Sequence, residues 1–276
     1  MAVTSTLWLR VAAILYSLGL LHAVLTVVRR RERLFRVAMA AFALGSVFHV
    51  VSIIEQGLAD GRCPVNNFFE TMSLCSWILS AAFIAVYYRY KTESLSVFIF
   101  PLVFVMTMVA SLSKPWTSLD TPALRSAWLI SHVVFALLGY AALVVTAVAA
   151  IAYLFQEREL KRKRPQGFYY RLPALGTLDD LVARSLGAGF VFITGGIVAG
   201  SIWGVLDSGT NWIVDPRIGI AFLTWAFYLA LVFFRVAAGW RGRKTAILSI
   251  AALVCSAATW YAHSHLQYLL TRGPLQ

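Results

Sequence analysis

Apolar runs recur along the chain at the length that an α-helix needs to cross a lipid bilayer, which is about 20 residues. Eight such runs follow one another, separated by short polar segments: Thr6–Val28, Leu34–Gln56, Phe68–Tyr90, Leu95–Leu112, Ser126–Phe155, Leu186–Leu206, Arg217–Phe234 and Thr245–Leu266. The pattern predicts an all-α fold, a polytopic transmembrane helix bundle of about eight spans. Residues 1–276 are expected to form a single integral membrane domain.

The composition agrees with this pattern. Of the 276 residues, 60% are hydrophobic and 13% are charged, whereas soluble domains hold roughly half apolar and a quarter charged residues. This excess of apolar residues excludes a soluble enzyme. The ordinary numbers of Gly and Pro, 18 and 8, exclude a collagen-like or disordered chain.

The formal net charge of +12 comes from one side of the predicted bundle. Eighteen of the 24 Lys and Arg residues lie in or beside the first, third, fifth and seventh connections, whereas the 12 acidic residues divide evenly between the two sides. The positive-inside rule then places these connections in the cytoplasm and both termini outside. No basic stripe with interleaved aromatics occurs elsewhere in the sequence, so membrane lipid, and not nucleic acid, is the expected partner.

The largest predicted inner connection covers residues 156–185. Its second half places four apolar residues on one helical face: Leu175, Leu178, Val182 and Leu186. Thr177 and Asp180 have the spacing of a capping box. These features favour a cytoplasmic loop with an interfacial amphipathic helix, and a solvated loop is the alternative.

Tryptophan concentrates on the predicted outer side, at six positions: Trp8, Trp116, Trp128, Trp203, Trp212 and Trp260. The outer loop 203–216 is rich in this residue, whereas an aromatic belt would populate both interfaces. A platform of indoles suits stacking on a flat apolar ligand such as a porphyrin. Arg217 and Arg125 would pair with its propionates. An ordinary aromatic belt with a proline-containing turn is the alternative.

All five histidines fall within or at the ends of predicted spans: His22, His49, His132, His263 and His265. Ionisable groups in a bilayer are costly and are therefore functional candidates. His132 lies about 9 Å from the outer end of its span, and His263 lies near the outer end of the last span. Two imidazoles at matched depth suit axial ligation of haem iron or of one metal. His22 and His49 differ in depth by about 14 Å, and a structural role is the alternative for each histidine.

The three cysteines are widely spaced, at Cys63, Cys75 and Cys255. Since no Cys-x-x-Cys pair occurs, thioredoxin-like chemistry is not indicated. Packed, inert thiols are favoured over a Cys63–Cys75 disulfide.

The tryptophan-rich loop resembles the WWD segment of the CcsA-type and CcmC-type cytochrome c assembly family. That family's pattern runs Trp-Gly, then Trp-x-Trp-Asp-Pro-Lys/Arg, then Thr-Trp and a Tyr in the next helix. The matching positions are Trp203, Gly204, Trp212, Asp215, Pro216, Arg217, Thr224, Trp225 and Tyr228. Three further stretches are similar to the CcsA type: Pro64–Thr71, Leu124–His132 and Ala262–Ser264.

The resemblance implies that haem b is held at the outer face by His132 and His263. It also implies haem contacts from the loop and the helix after it, at Trp203, Trp212, Asp215, Arg217 and Trp225. The implied protein is a haem-delivery component without independent catalytic activity, in the bacterial cytoplasmic membrane. Its implied partners are apocytochrome c and a second membrane assembly protein with a large outer domain.

Two other function classes are compatible with the predicted bundle. A haem-linked regulator or a membrane cytochrome b would use a site between His22 and His49 at mid-membrane. A small-solute transporter is the third class, although the inverted repeats and broken helices that would indicate one are not evident.

The sequence departs from the family pattern at several positions. The spacing from Trp-Gly to Asp is longer than the usual form, and Val214 replaces the Trp before the Asp. Phe233 stands where the next helix usually carries a His, and Ile218 replaces a Glu. These departures are compatible with a divergent, HemX-like branch and argue against a membrane haem site on that helix.

Overall fold

A computed structural model describes residues 2–29, 32–65, 67–112, 126–162, 172–208 and 216–272. Within these residues, the regular structure consists of eight α-helices and a 3₁₀ turn at Glu93–Leu95. The helices are α1 (Ala2–Arg29), α2 (Glu32–Asp60), α3 (Phe68–Tyr90), α4 (Ser96–Ser111), α5 (Ala127–Lys161), α6 (Leu175–Ser208), α7 (Pro216–Val236) and α8 (Arg243–Arg272). The predicted all-α class is confirmed for the described residues.

Consecutive helices run in opposite directions, so the bundle has two ends. The C-terminal end of α3 meets the start of α6, where the Tyr90 hydroxyl donates to Asp180 at 3.0 Å. The C-terminal end of α7 meets the same place, where Arg235 lies 2.6 Å from Asp179. We call this the basic end, because it carries the connections with most of the Lys and Arg residues. The opposite end, with the α2–α3, α4–α5 and α6–α7 connections, is the neutral end.

The helices pack as two groups of four. In the first group, α1 packs on α2 and α4, and α3 packs on α2 and α4. In the second group, α5 packs on α6 and α8, and α7 packs on the same two helices. The groups meet mainly where α3 contacts α5.

Buried polar side chains pair with one another inside the bundle, and many large apolar side chains are exposed on its surface. Ser76 and Thr107 are fully buried, and their hydroxyl oxygens lie 2.6 Å apart between α3 and α4. By contrast, Val191 is 67% exposed and Val254 is 63% exposed. This distribution is expected where the surroundings are lipid and not water, because polar groups then need partners within the protein.

Six helices are long and apolar enough to cross a membrane within the described residues, namely α1 to α6. In α7, the apolar stretch is the shorter segment Ala221–Val236. All eight helices occupy the predicted runs, and six of them meet the length and composition of a span within the described residues.

Helix ends follow local chemistry. The Asn67 side chain accepts a hydrogen bond at 2.9 Å from the backbone N–H of Glu70 and caps α3. Lys91, with φ of 53°, ends this helix in the left-handed conformation. Pro216 begins α7, where its missing N–H and fixed φ are tolerated.

The structure corrects both predicted loop boundaries. Residues 156–161 belong to α5 and residues 175–185 belong to α6, so the predicted loop 156–185 begins and ends within helices. The predicted capping box is wrong, because α6 begins before Thr177, and Asp180 instead binds Arg184 and Tyr90. At the neutral end, α6 continues to Ser208, so the first part of the predicted loop 203–216 is helical.

Candidate functional site

The imidazole of His132 lies in the interface between α5 and α6, near the neutral end. Its Nδ1 atom is 2.7 Å from the backbone carbonyl oxygen of Gly196. Because a carbonyl oxygen only accepts, Nδ1 must carry the proton. In the neutral imidazole Nε2 is then the nitrogen without a proton, and it makes no hydrogen bond with the described residues. A neutral imidazole in this state is ready to bind a metal through Nε2.

His263 lies in α8 at a level close to that of His132. A cavity of about 200 Å³ is lined by Leu137 of α5 and Ala257 of α8, among others. From Leu137, five residues toward the neutral end lead to His132, a rise of about 7.5 Å. From Ala257, six residues in the same direction lead to His263, a rise of about 9 Å. This placement concerns the backbone, because the side chains of residues 259–272 are outside the described part of the structure.

His49 is fully buried within the first group of helices. Its Nε2 lies 2.9 Å from the Ser73 hydroxyl, and its Nδ1 lies 3.4 Å from the Tyr16 hydroxyl. The Tyr16 hydroxyl in turn donates to Ser80 at 3.2 Å. Both ring nitrogens are therefore engaged in a polar network that connects α1, α2 and α3.

His22 lies at a different depth from His49. Its Nδ1 donates to the carbonyl of Leu18 in its own helix at 2.8 Å. One turn away, Gly19 packs against Ala38 of α2. His49 is eleven residues further along α2 than Ala38, a rise of about 16 Å. The structure thus does not bring His22 and His49 together.

The structure describes only some of the predicted site residues of the tryptophan-rich segment. Trp203 is half-buried near the C-terminal end of α6, and Arg217 lies in the first turn of α7. Trp212 and Asp215, like Arg125, lie outside the described residues. The side chain of Arg217 is also outside the described part.

Trp225 packs inward, against α6. Its indole Nε1 donates to the Thr194 hydroxyl at 3.0 Å, and its ring stacks on Phe190. Nearby, the fully buried Tyr228 donates to the carbonyl of Gly139 at 2.7 Å. These two residues join α7 to α6 and α5, which gives both of them a packing role.

We expect Trp225→Phe to weaken the α6–α7 contact without altering any haem spectrum. Phenylalanine keeps the stacking on Phe190 but loses the hydrogen bond to Thr194, which should lower the free energy of unfolding by about 0.5–1.5 kcal/mol. Thermal unfolding in detergent measures this loss. A changed visible spectrum in the folded variant would contradict the packing role.

Sequence reasoning missed an ion pair that closes the α2–α3 connection. Both Arg62 and Glu70 are buried, with Nη1 to Oε2 and Nη2 to Oε1 distances of 3.0 Å. Gln56 donates to the same carboxylate at 3.2 Å. Glu70 lies in the Pro64–Thr71 stretch, which is one of those that resemble the family, so the resemblance could have indicated this residue.

The cysteines are free thiols. Burial raises the pKa of the Cys63 thiol, the Glu70 carboxylate raises it further, and Arg62 opposes this shift. A raised pKa lowers the thiolate fraction at neutral pH and makes Cys63 a poor nucleophile. The predicted inertness of the thiols therefore fits Cys63.

Together, the fold and the histidines define a multi-pass helical membrane protein that presents an imidazole near one end of the bundle. The chain belongs to the cytochrome c assembly protein family, because the family model described as "Cytochrome C assembly protein" matches residues 65–267. The predicted resemblance is thus confirmed.

Relatives cover most of the chain. A "Cytochrome c biogenesis protein CcsA" from Prochlorococcus marinus (strain MIT 9515) is 30% identical over 227 residues, which are 74% of this chain and 73% of the relative. Proteins of the same name come from Guillardia theta, 26% identical over 95% of this chain and 91% of the relative, and from Chlorella vulgaris, 29% identical over 72% and 73%. The similarity to the Guillardia protein extends over nearly the whole bundle.

Proposed function

We propose that this protein binds haem b at the neutral end of its bundle and presents it for attachment to apocytochrome c. Family membership supports a role in cytochrome c biogenesis, for which the similar proteins are named. The protein itself would supply binding, orientation and protection of the haem, and no bond-forming chemistry.

The observation that carries the proposal is the hydrogen bond of His132. Metal-binding histidines typically donate their other ring N–H to a carbonyl or carboxylate, which sets the tautomer and the ring orientation. His132 meets this condition through Gly196 at 2.7 Å. Its Nε2 is therefore our proposed axial ligand for haem iron.

His263 is the proposed second ligand. The packing of α5 on α8 supports this assignment, because it brings the backbone of His263 close to the level of His132. Neutral imidazoles from two helices at matched depth are a suitable pair for a haem iron.

The connection between α6 and α7 is proposed to cover the haem. Trp203 would offer an indole for stacking, and Trp212 and Asp215 would lie on the connection itself. Arg217 would pair with a propionate, aided by its place in the first turn of α7, where a helix favours negative charge. Trp225 is left out of this proposal because it packs against α6.

The neutral end is proposed to face outward in the bacterial cytoplasmic membrane. The basic connections would then lie in the cytoplasm, as the positive-inside rule requires. This orientation makes the outer face the place where apocytochrome c and a second membrane assembly protein with an outer domain would meet the haem.

The visible spectrum of the protein purified from haem-replete cells tests the proposal. We expect a Soret band in the wild type and loss of most of it in His132→Ala and in His263→Ala, because each change removes an axial ligand. His22→Ala is the matched control and should keep the band, since His22 bonds within its own helix.

Deletion of the gene should also reduce the c-type cytochromes of the cell. Absence of a Soret band from the wild type, with normal c-type cytochromes after deletion, would refute the function. A band that survives in the double variant His132→Ala/His263→Ala would refute the ligand assignment alone.

A further inference from the structure

Two glycines of α6, Gly196 and Gly200, lie next to the ring of His132. The carbonyl oxygen of Gly196 accepts the Nδ1 hydrogen bond. A Cβ atom on Gly200 would lie 2.5 Å from Nδ1, 2.9 Å from Cε1 and 3.1 Å from Cγ of the same ring. No side chain larger than hydrogen fits at position 200 while the imidazole stays in place.

The four-residue spacing of the two glycines has a physical basis. In an α-helix, the carbonyl of residue 196 points toward residue 200, whose N–H it accepts. Because Gly200 has no Cβ, that carbonyl remains open from the side. A carbonyl oxygen has two lone pairs, so Gly196 can accept from the helix and from His132 together.

We propose that Gly196 and Gly200 position His132 as an iron ligand. Gly196 holds the proton on Nδ1, and Gly200 leaves the space in which the ring can reach that carbonyl. Together they set the tautomer and direct Nε2 away from α6. This inference rests on the proposed function, but its structural part can be tested without haem.

Close packing of α6 on its neighbours α5 and α7 is a separate role that other glycines serve. A Cβ on Gly139 would overlap the side chain of Ile193, and one on Gly189 would overlap the ring of Tyr228. Neither position has His132 among its nearest atoms. A Gly139→Ala variant therefore disturbs the same helix pair without touching the histidine, whereas a Cβ on Gly187 would meet no atom within 4 Å.

Thermal unfolding of four haem-free variants tests whether the crowding at Gly200 is specific to His132. We expect Gly200→Ala to lower the unfolding temperature in the wild-type background. In the His132→Ala background it should leave that temperature unchanged or raise it, since alanine is the better helix former. An equal loss in both backgrounds would overturn the proposal, and Gly187→Ala is the control that should cost nothing.

Nitrogen-15 NMR of histidine-labelled protein in lipid, prepared without haem, reads the tautomer directly. The signal that disappears in His132→Ala identifies the residue. We expect protonated Nδ1 in the wild type and in Gly139→Ala, and loss of this state in Gly200→Ala. Protonated Nε2 in the wild type would overturn the proposal.

Haem titration then tests the link to ligation. Gly200→Ala should weaken haem affinity by about 10–100-fold, as loss of a ligand-orienting contact does, while folded Gly139→Ala keeps the wild-type spectrum and affinity. Equal losses in both variants would show a packing effect and refute the positioning role. If the wild type binds no haem, the proposed function and the link to ligation fail, whereas the unfolding and NMR results still decide whether the glycines position His132.

Discussion

Replacing Glu70 by alanine is expected to lower the free energy of unfolding by about 3–5 kcal/mol, the cost of removing one member of a buried ion pair. Arg62 is 6% exposed and Glu70 is 7% exposed. Their two parallel contacts of 3.0 Å are the bidentate geometry that favours Arg with a carboxylate. Removal of the Glu70 carboxylate leaves a buried guanidinium that cannot lose its proton, beside the more exposed carboxylate of Asp60 at 3.3 Å.

The position of this pair explains its importance. Gln56 near the end of α2 and Arg62 in the connection both donate to the carboxylate in the first turn of α3. The Asn67 cap precedes it directly. The ion pair therefore stabilises the connection between α2 and α3. One turn after Glu70, Ser73 of α3 is the hydrogen-bond partner of His49, so the same connection also positions this partner.

Thermal or denaturant unfolding in detergent measures the effect. Lys161→Ala is the matched control, because its ion pair with Glu157 is exposed on the lysine side and should contribute less than about 1 kcal/mol. The double variant Arg62→Ala/Glu70→Ala should lose less than the sum of the single losses. Strict additivity, or a Glu70→Ala loss no greater than that of the control, would contradict the buried pair.

The second large effect is expected at Phe42, where alanine should lower the free energy of unfolding by about 3–5 kcal/mol. Phe42 is fully buried in α2 and stacks on Phe100 of α4 with ring centroids 3.8 Å apart. It also meets the ring of Phe83 of α3 edge-on. One side chain thus connects three helices, and in lipid such contacts are the main source of helix association.

Phe233→Ala is the control for this change. Phe233 is 57% exposed on α7, so its truncation leaves no cavity and exchanges protein surface for lipid contact. Unfolding in the same detergent should separate the two variants clearly. Comparable losses would mean that the three-ring contact does not stabilise the bundle.

Much of the fold was predictable from the order of apolar and polar residues. The lengths of the runs place all eight helices, because a bilayer demands about 20 apolar residues for each crossing. The family was predictable from the motif residues, as the match over residues 65–267 confirms.

The loop boundaries were less predictable. A polar or tryptophan-containing segment resembles a connection, yet Trp203 is helical and half-buried near the end of α6. Asp180 also lies in a segment that was predicted as a loop but is helical. Its partners are Arg184 of α6 and Tyr90 at the end of α3. Helix ends depend on such contacts, which the local sequence does not contain.

The sequence alone therefore predicted the eight helices, the charge difference between the two ends and the histidines that are functional candidates. Only the tertiary structure showed that these histidines have different hydrogen-bond partners. His49 is held by Ser73 and Tyr16 on other helices, whereas Nδ1 of His132 donates to a carbonyl of α6. The reason is that a hydrogen bond sets the tautomer of a neutral imidazole. For His132 the accepting residue, Gly196, lies 64 residues away in the chain.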